Sequence, residues 1–346
     1  MKILIKYVLI TLISISLFNC NSDDDSNSEQ NLLLGKWEVT SGNFIGSQPK
    51  YLIFNSNNTL DFLFERDLGF KRIFTSDYTV SSESEVEINV QGFLPFQYTL
   101  NQNTLSISDG PNTLQLIKNE NAPNVEDWIK VLSILEEGNA PWDGSVDIAF
   151  TYDKTKIVYG NTNTSEYIGL IDPNTFEEVG QIETTYNAYA VEVEKFDVPD
   201  KYIFQSDGGS DRFYGYSENN NNLDVTSSSL GPWIRGLASI NSTQIWASSH
   251  SAKRLYLYNY STELIEETIA IEIQPEGLDY QNGFLYICDG QYLHKCQTTP
   301  NFEALETYII EDKSIEGIAF DGTNFWINGR DFSSDSPKLI KTNLTL

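Results

Sequence analysis

Positive charge and histidine are both scarce in this chain of 346 residues. Lys and Arg number 22 against 49 Asp and Glu, which gives a formal net charge of −27 at pH 7. A surface this negative repels the phosphate backbone of nucleic acids, so nucleic-acid binding is excluded. With two His a three-His zinc site cannot form, and the sequence lacks HExxH, paired CxxC and glycine-rich phosphate-loop motifs. The common zinc and nucleotide sites are therefore excluded as well.

The N-terminal segment has the composition of a secretory signal. Lys2 and Lys6 form a positively charged start, and an apolar run follows from Tyr7 to Phe18. This run is shorter than the roughly 20 residues that a transmembrane helix needs. A short apolar run behind a basic start is typical of a signal peptide. We therefore predict a signal peptide over residues 1–19.

The residues that end this signal resemble the lipobox of bacterial lipoproteins. Leu17-Phe18-Asn19-Cys20 ends in the Cys before which such signals are cut, and the acidic stretch Asp23–Asp25 follows it. The resemblance implies that Cys20 carries acyl chains such as palmitate and that a membrane is a partner. The acidic stretch is similar to the tethers of Bacteroidota lipoproteins, which implies a tether over residues 20–31 and an outer-membrane anchor at the cell surface. The alternative is a secreted protein without lipid.

Residues 32–118 alternate apolar and polar positions between turn signals, with little helical periodicity. This pattern predicts eight short antiparallel strands that close, or nearly close, into a barrel. Leu34-Gly35-Lys36-Trp37 and Phe54–Leu60 resemble the G-x-W motif and the hairpin of short lipocalin-like domains. The resemblance implies that Trp37 is a core residue at one end of the barrel. Because the strands are short, we expect side chains to fill the interior and leave no large lipid cavity.

Five similar segments recur every 40 to 46 residues after residue 140, and each begins a group of short strands. They start at Asp147, Ala190, Gly236, Gly277 and Gly317. Four strands in a unit of this length are typical of a β-propeller blade, so residues 140–346 predict a five-bladed propeller.

The fifth repeat ends after its third strand, which would leave a sheet edge unpaired. We expect Lys130–Leu135, within a linker over residues 119–139, to supply the missing outer strand. The alternative for this region is a short helix from Asn124 to Leu132, with Asn124 as its N-cap. The predicted fold class is thus all-β, with a small lipocalin-like barrel followed by a closed propeller.

Cys288 and Cys296 fall on the second and third predicted strands of the fourth blade. A two-residue turn at Asp289-Gly290 would pair Cys288 with Gln291 and place Cys296 five residues further on, roughly 17 Å away. That distance exceeds the reach of a disulfide, so both thiols are predicted to be free.

Loop residues from all blades converge at the end of a propeller where the inner strands begin, which we call the mouth. Aromatic faces beside a few charged groups suit sugars and peptides, so we expect ligand-binding residues there. The structural alternative is a solvated mouth in which Glu276 and Glu316 pair with Arg235. His250 is expected to be a surface turn residue, and His294 to fill space in a strand. The candidate ligand-binding residues are Tyr189, Trp233, Arg235, Glu276, Glu316 and Arg330.

Two repeats, Pro275–Asp279 and Ile315–Ile327, resemble the inner repeats of gluconolactonase-type and glutaminyl-cyclase-type propellers. In the gluconolactonase type, a Glu before such a Gly binds a divalent metal, which implies Glu276 or Glu316 as a metal ligand. Asp207–Asp211 also offers oxygen atoms to Ca²⁺, but it lacks the length and spacing of an EF-hand loop, so a plain hairpin turn is the favoured interpretation.

The main prediction is a surface-anchored binding protein without a cofactor, which holds a glycan, a peptide or a protein at the mouth. The alternative is an enzyme, either a metal-dependent lactonase-like hydrolase or a glutaminyl-cyclase-like enzyme. A scaffold with no small ligand is a third interpretation. The patterns identify no catalytic residue.

Overall fold

The regular secondary structure of the described chain is almost entirely β-strand. The computed structural model describes residues 32–43, 47–89, 95–141, 147–160, 167–196, 201–207, 211–217 and 221–346. The predicted signal peptide, Cys20 and the tether lie outside the described residues. Two units can be separated: the chain up to Phe62 with Phe74–Ala122, and Leu63–Ile73 with Pro123–Leu346. Within the described ranges, no helix is long and apolar enough to cross a membrane.

The first eight strands form a closed barrel in which each strand pairs with the next in the chain and β1 pairs with β8. Trp37 is fully buried and its indole N–H donates to the Leu33 carbonyl at 2.8 Å, so it is a core residue as expected. Phe62, Tyr78 and Phe96 are also buried, so large side chains fill this unit. The strands are β1 Gly35–Ser41, β2 Tyr51–Phe54, β3 Thr59–Glu65, β4 Lys71–Ser82, β5 Glu85–Ile88, β6 Phe96–Asn101, β7 Thr104–Ser108 and β8 Thr113–Lys118.

The segment between barrel and propeller contains a one-turn helix and two strands that join different blades. These elements are α1 Val125–Trp128, β9 Lys130–Val131 and β10 Ile134–Asn139. The predicted helix from Asn124 to Leu132 is therefore real but shorter. Its chain becomes extended at Ile129 and continues into β9.

Five sheets follow, and from β11 onwards the strands of each sheet pair antiparallel in chain order, from the innermost outwards. Blade 1 contains β11 Ile148–Phe150, β12 Ile157–Tyr159, β13 Tyr167–Ile171 and β14 Glu178–Glu183. Blade 2 contains β15 Ala188–Val193, β16 Tyr202–Asp207, β17 Phe213–Ser217 and β18 Leu223–Thr226. Blade 3 contains β19 Ile234–Ser239, β20 Gln244–Ser249, β21 Arg254–Asn259 and β22 Leu264–Ala270. Blade 4 contains β23 Leu278–Gln281, β24 Phe284–Cys288, β25 Leu293–Gln297 and β26 Glu303–Ile309, and blade 5 contains β27 Gly317–Phe320, β28 Phe325–Arg330 and β29 Pro337–Thr342.

The inner strands close a ring, because each contacts the inner strand of the next blade and β27 contacts β11. Buried apolar side chains fill the spaces between neighbouring blades, as with Tyr286 and Phe325 between blades 4 and 5. The all-β class, the closed eight-stranded barrel and the five-bladed propeller are confirmed.

The outer strand of blade 5 begins four residues later than the expected segment Lys130–Leu135. Strand β10 pairs antiparallel with β29, whereas β9 pairs parallel with β26 of blade 4. Leu132 is buried between the two blades, and its N–H donates to the Ile309 carbonyl at 2.8 Å. The segment Lys130–Leu135 is thus divided between two blades: β9 joins blade 4, β10 joins blade 5, and Leu132 packs in the space between them.

A similar correction applies to the cysteines. Cys288 is opposite Leu293 and Cys296 is opposite Leu285. Cys296 therefore lies three positions along β25 from the residue opposite Cys288, about 10 Å along the strand, whereas the sequence predicted an offset of five positions. Both are buried free thiols, and burial raises the pKa of each thiol well above its usual value.

The axis of the ring is filled by backbone and by one carboxylate. A Cβ on Gly277 would lie 2.4 Å from Asp147 Oδ1 and 2.6 Å from the Gly317 Cα, so there is no room for a side chain at this position. Asp147 is fully buried and accepts hydrogen bonds from backbone N–H groups of four blades. Oδ1 accepts from Ile148 at 3.0 Å and Ile318 at 3.3 Å, and Oδ2 accepts from Leu237 and Leu278 at 3.3 Å.

These bonds stabilise a carboxylate that burial alone would disfavour. Burial raises the pKa of Asp147 well above its usual value, and the four N–H donors oppose that shift. One side chain thus links blades 1, 3, 4 and 5 at the axis.

We expect D147N to lower the free energy of unfolding by about 1–3 kcal/mol, measured by thermal or urea denaturation. The Asn amide would direct its NH₂ group at N–H donors and leave them without an acceptor. The matched control is D224N, which makes the same change at an exposed position of β18. Equal stability of D147N and the wild type would contradict the role of Asp147.

Candidate functional site

The mouth is built where the inner strands of blades 3, 4 and 5 begin. Arg235 is the second residue of β19, and Glu276 immediately precedes the Gly277 that leads into β23. The Gly277 N–H donates to the Glu316 carbonyl at 2.7 Å, which joins the starts of blades 4 and 5. Residues far apart in the chain are therefore neighbours here.

An ion pair lies at the centre of the mouth. Arg235 Nη1 is 2.6 Å from Glu276 Oε2, and His250 Nε2 is 3.1 Å from Glu276 Oε1. All three side chains are mostly buried but still reach solvent. Both oxygens of Glu276 therefore have a partner. The expectation that His250 is a plain surface turn residue is wrong, because its ring is held against this carboxylate.

Two aromatic rings lie close to Arg235. The guanidinium carbon is 5.3 Å from the centre of the Trp233 ring and 5.8 Å from that of Tyr189. Trp233 also stacks on His250, with ring centres 6.1 Å apart and an interplanar angle of 30°. We call Tyr189, Trp233, Arg235, His250 and Glu276 the mouth cluster.

Trp233 combines exposure with an unfavourable backbone conformation. Its side chain is 45% exposed, and its φ of 59° lies in the left-handed region that bulky residues rarely adopt. The two side chains against which it packs each carry a buried polar atom without a hydrogen-bond partner among the described residues: Arg235 Nε and His250 Nδ1. Such atoms normally cost stability, about 1–3 kcal/mol each.

Glu316 and Arg330 form a second group at the mouth. Arg330 Nε is 3.7 Å from Glu316 Oε2, and Ser314 Oγ donates to Glu316 Oε1 at 2.9 Å. Arg330 Nη1 also donates to the Asp335 carbonyl at 3.1 Å. The structure thus pairs Glu276 with Arg235 and Glu316 with Arg330, instead of placing both acids on Arg235. Of the six predicted residues, Tyr189, Trp233, Arg235 and Glu276 come together in one cluster.

No metal-ligand set is evident at the mouth. In the described ranges, no group of three His, Cys, Asp or Glu side chains could hold a metal ion. Glu276 and Glu316 already have cationic or hydroxyl partners. For the Asp207–Asp211 stretch, residues 208–210 lie outside the described residues, so Ca²⁺ there stays a prediction.

We expect 5 mM Ca²⁺ or Mg²⁺ to leave the melting temperature of the protein unchanged, compared with a sample in EDTA. A metal that binds only the folded state raises the melting temperature according to its affinity. A clear rise that E276Q or E316Q abolishes would instead support a metal site at the mouth.

The opposite end of the ring carries a buried charge cluster. Lys195 Nζ is 3.2 Å from Glu192 Oε1 and makes a second ion pair with Asp279. The Ser239 N–H also donates to Glu192, at 3.3 Å. Burial, together with the nearby Asp279 charge and despite Lys195, raises the pKa of Glu192 to about 7. One lysine shared by two buried carboxylates explains why one of them holds its proton to a higher pH.

Glu192 should make stability depend on pH. Its pKa rises from 4.5 in the unfolded chain to about 7 in the folded protein, so folding is favoured when Glu192 is protonated. The contribution is complete below about pH 4.5 and is lost as the pH rises through about 7. Between pH 5 and pH 8, we expect the wild type to lose on the order of 2 kcal/mol more unfolding free energy than E192Q.

Urea denaturation at the two pH values measures this difference. The control is E267Q, at an exposed position of β22, which should lose as much as the wild type. Identical losses for the wild type and E192Q would contradict the assigned pKa direction.

Sequence reasoning also missed a buried polar chain around His294. His294 is fully buried, with Nδ1 at 3.0 Å from Thr307 Oγ1 and Nε2 at 3.3 Å from Asp289 Oδ2. Asp289 Oδ2 is also 2.7 Å from Arg72 Nη2. Although burial raises the pKa of Asp289, His294 and Arg72 hold it below its usual value. His294 is therefore more than strand filler. No local sequence signal identifies Arg72, which lies 217 residues before Asp289, as the partner of that carboxylate.

No family model and no curated protein matches this chain. Among solved structures, Myxococcus xanthus glutaminyl cyclase is 11% identical, over 62% of this chain and 97% of that chain, with a TM-score of 0.49. U3-55K is 13% identical, over 60% and 65% of the two chains, with a TM-score of 0.39. Kuenenia stuttgartiensis hydrazine synthase is 11% identical, over 56% and 58%, with a TM-score of 0.40. Similarities this low carry no argument about activity, and the fold assignment depends on the strand pairing described above.

Proposed function

We propose that this chain is a surface lipoprotein whose propeller binds a small extracellular ligand at the mouth cluster. The observation that carries the proposal is Trp233, a large, exposed aromatic side chain on a left-handed backbone, packed over Arg235 and His250. Backbone strain, exposed apolar surface and unpartnered buried polar atoms all lower stability. Their combination is typical of residues retained for binding rather than for folding.

The chemistry of the cluster supports binding over catalysis. Glu276 has Arg235 on one oxygen and His250 on the other, so both of its oxygens already have a partner within the cluster. Aromatic surface is provided by two blades, through Tyr189 and Trp233. The Glu316–Arg330 pair provides further charged groups beside this surface. An aromatic surface with a few fixed polar groups suits a glycan or a peptide segment.

The anchoring part of the proposal depends on the sequence alone. Cys20 follows an apolar signal and precedes an acidic stretch, and both lie outside the described residues. Acyl chains on Cys20 would hold the protein at the outer membrane, because each buried CH₂ contributes about 0.8 kcal/mol. The metal-dependent hydrolase and the glutaminyl-cyclase-like enzyme stay predictions, and the described residues contain no group of three His, Cys, Asp or Glu that could hold a metal ion.

A screen of the full chain carrying C20S against a glycan and peptide array tests the binding proposal. We expect specific binding that W233A and R235A each weaken at least tenfold, since both remove part of the ligand surface. The control is F74A, which removes an aromatic side chain of similar exposure, 44%, from the barrel. Binding that all three variants retain would contradict the assignment to the mouth.

Metabolic labelling with an alkyne fatty acid tests the lipid anchor. We expect the wild-type chain in a bacterial lipoprotein-processing host to incorporate the label and to fractionate with membranes. C20S should lose both properties, whereas C296S, which changes a buried thiol of blade 4, should keep them. Labelling that survives in C20S would show that the lipid is elsewhere or that the anchor is not a lipid.

A further inference from the structure

We infer that the mouth cluster recognises an uncharged pyranose sugar, and that the Trp233 indole covers the two atoms that hydrogen-bond the sugar hydroxyls. This inference rests on the proposed function and specifies its ligand. Two observations support it. Arg235 Nε and His250 Nδ1 are buried without a hydrogen-bond partner among the described residues, and Trp233 packs against both side chains.

His250 provides a hydrogen-bond acceptor. Its Nε2 lies 3.1 Å from Glu276 Oε1, and an ionised carboxylate only accepts hydrogen bonds. In the neutral ring the proton is therefore on Nε2, and Nδ1 carries a free lone pair. Nδ1 is buried without a partner among the described residues. A ligand O–H that donates to Nδ1 would satisfy it.

Arg235 provides a matching donor. Its Nη1 donates to Glu276 Oε2 at 2.6 Å, whereas its Nε–H is buried without an acceptor in the described part of the chain. The mouth cluster therefore offers one donor and one acceptor, on two side chains joined through the same carboxylate. Adjacent sugar hydroxyls, each of which both donates and accepts, match such a pair.

The charge of the site favours a neutral ligand. The charges of Arg235 and Glu276 cancel each other, and the whole chain carries a net charge of −27, so an anionic sugar acid would be repelled.

A peptide bond fits the donor and acceptor of the mouth cluster less well than a sugar diol does. In the trans peptide the N–H and C=O point to opposite sides, so one peptide unit cannot present both to neighbouring atoms. A pyranose also has an apolar C–H face, which can pack on an aromatic ring as other apolar groups do.

Trp233 is placed to serve as both cover and stacking surface. Its ring centre is 6.1 Å from that of His250 and 5.3 Å from the Arg235 guanidinium carbon. Its backbone is fixed, because the Trp233 carbonyl accepts from the His250 N–H at 3.0 Å and the Pro232 carbonyl accepts from Ser249 Oγ at 2.6 Å. The indole therefore uncovers the two atoms by side-chain rotation, without movement of the loop, and then packs on the sugar face.

The test titrates the full chain carrying C20S with neutral methyl glycosides of glucose, galactose and mannose, and in parallel with glucuronate and an Ala-Phe dipeptide. Calorimetry measures affinity, and intrinsic fluorescence is compared with that of a W233A variant. The chain has six Trp, so only the part of an emission change that W233A removes is assigned to Trp233. We expect at least one glycoside to bind and to change the emission. Glucuronate and the dipeptide should bind at least tenfold more weakly.

Three variants test the atoms assigned. R235K keeps the positive charge beside Glu276 but removes the Nε–H, and H250F keeps a ring under Trp233 but removes Nδ1. Each should weaken glycoside binding about tenfold, the worth of one hydrogen bond to a polar ligand. W233A should abolish the emission change and weaken binding at least tenfold, whereas F74A should alter neither.

The outcomes separate this inference from the proposed function. Binding of the dipeptide or glucuronate, lost in W233A and unmatched by any glycoside, would overturn the sugar assignment and leave the mouth as a binding site. Glycoside binding that R235K and H250F retain would overturn the donor–acceptor pair. Glycoside binding without an emission change would overturn the cover. If no probe binds and the array is also negative, both the inference and the proposed function fail.

Discussion

The carboxylate of Asp147 accepts four backbone N–H groups on the axis of the ring, and the arrangement of the mouth depends on it. Leu237 and Leu278, two of the donors, lie two residues after Arg235 and Glu276, respectively. The bonds to one side chain therefore fix the distance between the strand starts that carry the central ion pair. Without this carboxylate, the N–H groups of four blades would meet at an axis with no acceptor.

The two ends of the ring handle buried charge differently. At one end, Lys195 pairs with both Glu192 and Asp279, so every charged group of this mostly buried cluster has a partner. At the mouth, the Arg235–Glu276 pair remains partly exposed under a strained, exposed Trp233. Complete pairing is what a structural ion cluster needs, whereas unused donors and acceptors are what a binding site needs. This contrast is the reason for placing the proposed binding site at the mouth.

The sequence predicted the parts of the fold that depend on local alternation and on repeats. All eight barrel strands and the repeat starts at Gly236, Gly277 and Gly317 follow from patterns within a few residues. The glycines are needed because the axis has no space for a Cβ, as Gly277 shows. Asp147 stands where these repeats have Gly, and that exception was the signal of an axial role that the sequence analysis did not use.

What the sequence could not predict depends on contacts between distant segments. The closing strand was misplaced because Leu132 belongs to the space between two blades, which no local pattern indicates. His250 was taken for a turn residue because its partner Glu276 is on the next blade. The cysteine register was off by two residues because the turn between β24 and β25 is longer than the two residues assumed.

The most direct test of the account is native-state hydrogen exchange at the amides that donate to Asp147. The amides of Leu237, Leu278 and Ile318 come from three blades and meet at one carboxylate. We expect all three to exchange only through global unfolding, with the same high protection as the centre of the core. Exchange as fast as that of the exposed outer strand β22 would show that the axis is not held by Asp147, and the mouth would lose its structural basis.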